Sequence, residues 1–478
     1  MSAPGPFGAT SPPGTIELTA RALDARATAL RAPRLRPVGA RSRVNPAALA
    51  LGGVLLCALL ISVGAANTDL LLPESVRPVP NWLAGPFGST GLGLGVLPLV
   101  GIFTLMFVCY VLAVRGADRL SPRLVLMTIA ALHAVILLAP PMLSTDVFSY
   151  QAYAKIWALY GANPYLHGPH AIALDPLYPF IGAKWVNTPS AYGPAFTALS
   201  YPFAHLSIAA SALAYKAIAA LASLVTVALV WNSARLRGLN PTRAAALVAL
   251  NPLVVVYGVG GGHNDLLMLA LLMAGVYALL GHSHRAAGAF PVLAAAVKLT
   301  AGVFLPFMVA SASAPGLGAR SRRRSILIGA SAAAIPMVVL GFAAFGTGQL
   351  NLLATLQRTQ GQGDWHSIPG FISTSLGLGT VGHIAGVCLA VVFVCVFFWL
   401  VRKVGRGEMD WIDGAGWTAV ALLITAGSML PWYVAWLMPF AALGTDRRLW
   451  RASLIVSGVV GAIQLVGYVP HTNPLLWL

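Results

Sequence analysis

Acid is scarce in this chain. Aspartate and glutamate together number 13 in 478 residues, and charged residues of all kinds make up 9%. A soluble globular protein carries about a quarter, so a water-soluble domain is excluded. The four cysteines, Cys57, Cys109, Cys388 and Cys395, lie in apolar runs without CxxC spacing. That excludes a disulfide framework or a zinc-ribbon site, and the four read as buried apolar residues. There is no P-loop, so that phosphate-cradling motif is missing. The first 45 residues lack an early apolar core and do not resemble a cleaved signal.

What is abundant is apolar surface, at 58% of residues. The expectation is an all-α polytopic membrane protein. A spanning helix needs about 20 apolar residues. Thirteen runs qualify in full or as half-helices: 46–66, 92–114, 124–143, 205–231, 243–259, 265–281, 286–297, 299–313, 326–345, 381–401, 413–428, 433–444 and 452–470. Residues 1–45 read as a disordered basic cytoplasmic tail and 46–478 as one transmembrane domain. Arginine outnumbers lysine 25 to 5 and recurs on alternate connections, at 115–123, 235–243, 320–324, 402–406 and 447–451. This is the positive-inside pattern, and it argues against a nucleic-acid partner despite the net charge of +17. It predicts a multi-pass protein of the plasma (inner) membrane, with its N-terminus cytoplasmic and its C-terminus external.

Two pairs of runs are short. Lys298 interrupts the first and Pro431-Trp432-Tyr433 the second. Broken helices at membrane depth are tolerated where they line a cavity, so both apices are expected to open on one external cavity. The longest external loops run over about 144–194 and 346–371.

The candidate chemistry lies on that side. Asp146 follows an apolar run, where an ionisable residue is a functional-site hypothesis. Asp146, Tyr150 and Tyr153 fall at i, i+4 and i+7, on one face of a helix capped by Ser144 or Thr145. That helix is expected to lie along the membrane surface, with Phe148, Ile156 and Trp157 dipping in. Asp146 either serves as a base toward an acceptor hydroxyl or helps to cap the helix. His263-Asn264-Asp265 follows three glycines at a helix start, which suits an anion; Asp265 is alternatively a plain N-cap. A divalent cation through His263, Asp265 and Asp146 is possible, although no ligand spacing compels it, and no cofactor is expected to be required. Lys298 suits a lipid phosphate or snorkels to the interface. Asn163-Pro164-Tyr165 and Thr188-Pro-Ser-Ala-Tyr192-Gly-Pro194 read as rigid turns suited to a sugar or as ordinary loop packing. Asp364-Trp365-His366 and Trp432-Tyr433 are weaker sugar-side or interface-belt candidates.

Four segments together carry a resemblance. They are Pro141-Met-Leu-Ser-Thr-Asp146-Val-Phe-Ser-Tyr150, Ala191-Tyr-Gly-Pro-Ala-Phe196, Asn251-Pro-Leu with Gly262-His-Asn-Asp265, and Ala296-Val-Lys298-Leu-Thr-Ala-Gly302 with Leu305-Pro-Phe. The chain resembles the GT-C glycosyltransferases, and within them the actinobacterial polyprenol-phosphomannose-dependent alpha-1,6-mannosyltransferases of the A and B types, which build the mannan core of lipomannan and lipoarabinomannan. The resemblance implies a GT-C-type bundle. It also implies inverting transfer of mannose from polyprenyl-phosphate-mannose to a glycolipid or mannan acceptor, at the external or periplasmic face. It implies Asp146 as base, with Lys298, His263, Asn264, Asp265 and His366 on the donor and phosphate side. Tyr150, Tyr153, Tyr192, Trp365, Trp432 and Tyr433 would shape the acceptor and sugar side. The alternatives are another polyprenyl-phosphate sugar, such as arabinofuranose or glucose, or a lipid or sugar transporter.

Overall fold

The computed structural model describes residues 45–312, 318–361 and 365–468. The tail expected over 1–45 therefore lies outside the described residues except for its last position, as does Asp364. Among the described residues there are helices and no strands.

The apolar runs become helices where local signals start and stop them. The first two are α1 (Pro46–Gly64) and α2 (Val96–Arg115). Helix α3 (Pro122–Leu138) begins with Pro at its first position and with Ser121 Oγ accepting the Leu124 N–H at 3.2 Å. Pro suits that position because its missing N–H would be unpaired anyway. The helix ends before Pro140-Pro141, which cannot donate to it. Helix α4 (Asp146–Ala158) follows, then α5 (Ile208–Leu236), capped by Ser207. Asn240 and Pro241 start α6 (Pro241–Ala249) in the same manner as α3. Beyond it come α7 (Asp265–Leu280), α8 (His284–Val297), α9 (Leu305–Ser311), α10 (Ala319–Phe345), α11 (Asn351–Gly361), α12 (Gly379–Gly405), α13 (Trp411–Thr425) and α14 (Arg447–Gly467).

Helix underlies every one of the thirteen apolar runs. The count of thirteen crossings is not confirmed. Among the described residues six helical segments are long and apolar enough to span alone: Pro46–Asn67, Val96–Arg115, Ile208–Leu236, Ala319–Gly361, Gly379–Gly405 and Arg447–Gly467. A seventh forms if Pro241–Ala249 and Leu253–Val259, bent by 50°, count as one. The others are shorter apolar helices.

Both expected breaks are present. Helix α8 stops at Val297, Lys298 is extended, and a 3-10 turn (Leu299–Phe304) leads into α9. Helix α13 stops at Thr425, and Pro431–Trp436 forms a second 3-10 turn.

Two expectations need correction. Helix α4 is not an amphipathic surface helix. Nine of its 13 residues are buried, on both faces. Loop structure roofs it, tied down by the ion pair of Lys155 with Asp175 at 2.8 Å. Trp157 packs on the rings of Tyr201 and Phe345. Nor are all four cysteines buried. Cys57 and Cys109 are, whereas Cys388 and Cys395 are exposed, because α12 presents most of its surface outward. All four are free.

The arginine-bearing connections meet at one end of the bundle. Arg243 pairs with Asp118, and Arg237 with Asp410 at 3.2 Å. Asp146 lies toward the opposite end of α5, where Gln151 donates to the Leu206 carbonyl at 3.0 Å.

Candidate active site

Three chain segments bring Asp146 its neighbours. Its carboxylate caps nothing: the Asp146 N–H instead donates to Ser144 Oγ at 3.1 Å. Oδ2 accepts from His263 Nδ1 at 3.1 Å and from the Tyr150 and Tyr192 hydroxyls, each at 3.4 Å. The i, i+4 spacing on α4 supplies Tyr150. The turn before Pro194 supplies Tyr192, and the glycine-led apex before α7 supplies His263. Burial pushes the Asp146 carboxyl up, but the hydrogen bond and charge of His263, together with the charge of Lys298, outweigh it and hold it below its ordinary value. Burial and then the Asp146 charge raise the Tyr192 phenol well above its usual value, so it stays a donor. The Asp146 side chain remains 19% exposed.

That exposed part faces a cavity of about 850 Å³, within the range of ligand sites. Lys298 and Tyr433, one from each broken helix, line the same cavity, as the sequence led us to expect of the two apices. Lys298 Nζ donates to both Asp265 oxygens, at 2.7 and 2.9 Å. It lies 4.8 Å from the Tyr433 ring centroid. Tyr192 is brought beside Lys298 because the Gly193 N–H donates to the Val297 carbonyl at 2.9 Å. A side chain at Gly193 would collide with Ala296.

The cavity has two characters. One part of its wall is aromatic and polar, with Tyr153, Trp185, Thr188, Gln357 and Gln360. Along α12 it is lined by Gly379, Gly382, Gly386, Ala390 and Phe393. These fall three to four residues apart on one helix face, leaving an apolar groove beside a helix that is almost wholly exposed.

The other expected site residues lie elsewhere. His263 and Asn264 are buried one layer behind the wall. His263 stacks on Trp432 at 3.5 Å between ring centroids, so neither ring reaches the cavity. Asp265 is also behind it, held by Lys298 and by Trp436 Nε1 at 2.9 Å. It does not cap α7, since no side-chain cap bond forms there. Tyr150 is buried and donates to Asp146 from below, whereas Tyr153 lines the cavity and donates to the Thr188 carbonyl at 2.8 Å. Tyr165 is a packing residue whose hydroxyl donates to the Tyr192 carbonyl at 2.9 Å. Trp365 and His366 pack on each other and are not part of the cavity wall. Among the described residues no three His, Cys, Asp or Glu side chains converge as metal ligands do, and Asp265 is committed to Lys298.

One residue escaped the sequence reading. Lys216, in the first third of the apolar α5, is 1% exposed and donates to backbone carbonyls of the segment that leads to Asp146. Its signal was visible: it is the sole lysine in a 29-residue apolar helix.

A family model described as "Alpha-(1->6)-mannopyranosyltransferase, N-terminal domain" matches residues 50–314. That stretch contains Asp146, His263, Asp265 and Lys298. Alpha-(1->6)-mannopyranosyltransferase A of Mycobacterium tuberculosis is 28% identical over 455 residues, which cover 88% of this chain and 84% of that protein. A probable alpha-(1->6)-mannopyranosyltransferase of Mycolicibacterium smegmatis is 29% identical over 419 residues, covering 76% and 72%. Alpha-(1->6)-mannopyranosyltransferase B of Corynebacterium glutamicum is 26% identical over 452 residues, covering 83% and 73%.

Proposed function

We propose that this chain, which belongs to the alpha-(1->6)-mannopyranosyltransferase family and is a membrane mannosyltransferase, takes mannose from a polyprenyl-phosphate donor and passes it to a mannan or glycolipid acceptor with inversion. The observation that carries the reading is the single cavity shared by Asp146, Lys298 and the apolar groove of α12. A lipid-linked sugar phosphate needs all three: a groove for its tail, a cation near its phosphate and a base for the incoming alcohol.

The acceptor hydroxyl attacks the anomeric carbon as Asp146 takes its proton. The bond from that carbon to the phosphate oxygen breaks, and the electron pair leaves on the phosphate. Phosphate departs at neutral pH without a general acid, so one carboxylate suffices. Lys298 is the cation nearest the developing charge, and its attraction to the leaving group stabilises the transition state. A single displacement inverts the anomeric centre and turns a beta-linked donor into an alpha-mannoside. The aromatic and amide wall at Tyr153, Trp185, Gln357 and Gln360 suits the acceptor sugar. His263, Tyr150 and Tyr192 aim the carboxylate and keep it ionised. An alpha-1,6 linkage, a plasma-membrane location and an external site are parts of the same proposal. The last is supported by the separation of Asp146 from the arginine-bearing end of the bundle.

The test is to supply the purified protein with polyprenyl-phosphomannose and a short mannoside and to determine the product's linkage. An alpha-1,6-mannoside is expected. Transfer from a polyprenyl-phosphate arabinofuranose or glucose, with none from the mannose donor, would overturn the sugar assignment. Movement of substrate across sealed vesicles without a new glycosidic bond would overturn the transferase assignment.

A further inference from the structure

Ile136, Ala139 and Pro140 sit where α3 gives out. In a continuing helix the Ile136 carbonyl would accept from the N–H of residue 140, four positions on. Residue 140 is proline and has no N–H. Proline thus leaves this carbonyl without a partner, and the carbonyls of Ala139 and Pro140 lie beyond the helix altogether. All three are met by one side chain. Lys216 Nζ donates to Ile136 at 3.0 Å, to Pro140 at 3.2 Å and to Ala139. An ammonium has three donors, and here each has its own carbonyl. Lys216 is 1% exposed and has no carboxylate partner among the described residues. A buried amine is expensive to desolvate, which asks for a reason beyond filling space.

The reason lies six residues downstream. Between Pro140 and Asp146 the chain is pinned at two successive residues. The Met142 N–H donates to the Gly260 carbonyl at 3.2 Å and the Leu143 N–H to the Leu71 carbonyl at 2.9 Å. Leu143 is left-handed, with φ of 64°, an uncommon and strained state for a bulky residue. The stem of Lys216 also abuts the other half of the site. A Cβ added to Gly262, the residue before His263, would lie 3.2 Å from Lys216 Cγ and 2.5 Å from Val147 Cγ1. One turn of α5 therefore buttresses both the segment carrying Asp146 and the segment carrying His263.

We infer that Lys216 is a positioning residue for mannosyl transfer. It clamps the proline-broken end of α3 and so sets the Asp146 carboxylate against His263 and the cavity. The inference rests on the reading of Asp146 as base.

The experiment compares Lys216→Met, Pro140→Ala, their double variant and Asp146→Asn in the polyprenyl-phosphomannose assay, with kcat, both KM values and thermal midpoints. Misplacing a reacting group by about 1 Å costs on the order of 100-fold. Lys216→Met should lower kcat by about 10- to 100-fold and leave both KM values within about twofold. Pro140→Ala returns an N–H to the Ile136 carbonyl. The double variant should therefore recover thermal stability without recovering kcat. If Lys216→Met alone does not fold, the double variant is the one read. A folded Lys216→Met or double variant with kcat within about twofold of wild type would reduce Lys216 to a structural group and overturn the inference. If Asp146→Asn is inactive in that case, only the clamp fails. If Asp146→Asn keeps the wild-type rate, the base assignment fails and the clamp falls with it.

Discussion

Asp146 gains its chemistry from three side chains that lie on separate segments. The carboxylate accepts from His263, Tyr150 and Tyr192 and keeps part of its surface toward the cavity. Asp146→Asn should abolish transfer while size-exclusion behaviour and donor binding remain as in wild type. A variant with full activity would remove this residue as base. The pH dependence has a definite sign. A carboxyl held below its ordinary value is ionised throughout the neutral range. Activity should then persist through the usual carboxylate range and fall only as pH drops through the lowered value. Its contribution to stability has the same sign, present above the unfolded value and lost as pH falls through the folded one. His263→Ala removes the hydrogen bond and charge that oppose burial, so the acid limb of kcat/KM should move to higher pH. An unmoved limb in that variant would show that His263 does not tune Asp146. Asp146 and its i+4 tyrosine were legible from spacing alone. The burial of His263 was not, because a glycine-led helix start looks the same whether it faces a ligand or a packed interior.

In the proposed function the broken helices and α12 form the donor side of the cavity. Lys298 interrupts one apolar run and Tyr433 follows the break in the other, and this much was readable as charge and proline inside apolar sequence. The partner of Lys298 was not readable. Asp265 lies 33 positions earlier, and only the crossing of α7 with the broken helix brings the two to 2.7 Å. Lys298→Met should weaken donor binding. It also leaves Asp265, 1% exposed in its side chain, as a buried unpaired charge, a loss on the order of 3–5 kcal/mol. Lys298→Met with Asp265→Asn should regain most of that stability but not donor affinity. Recovery of both would rule out a phosphate contact for Lys298. The groove of α12 makes a separate prediction. Ala390→Trp should raise KM for a long-chain polyprenyl donor by about tenfold and leave a truncated donor nearly unaffected, since each buried CH₂ is worth about 0.8 kcal/mol. Equal effects on both donors would place the lipid tail elsewhere.

Across the whole molecule the two ends differ in charge. Arginines with Asp118 and Asp410 tie the connections at one end, while Asp146 and Lys298 line the cavity at the other. Helix α5, 29 residues long, runs about 44 Å at 1.5 Å per residue, enough to separate the two across a bilayer. With Cys388 and Cys395 changed to Ser, a cysteine placed at Thr188 should react with an impermeant maleimide in intact cells. One placed at Arg243 should react only after permeabilisation. The reverse pattern would put the cavity on the cytoplasmic side and end the external-site proposal. The sequence by itself determined the membrane class, the places where helices start and break, the prominence of Asp146 and Lys298, and the family resemblance. These are local properties, set by apolar run length, proline, caps and motif order. Tertiary structure alone decided that α4 is roofed over, that His263 backs Asp146, that Asp265 belongs to Lys298, and that Lys216 closes the end of α3. Each of these pairs residues far apart in the chain, and such partners are chosen by how helices pack against one another, which no local pattern encodes.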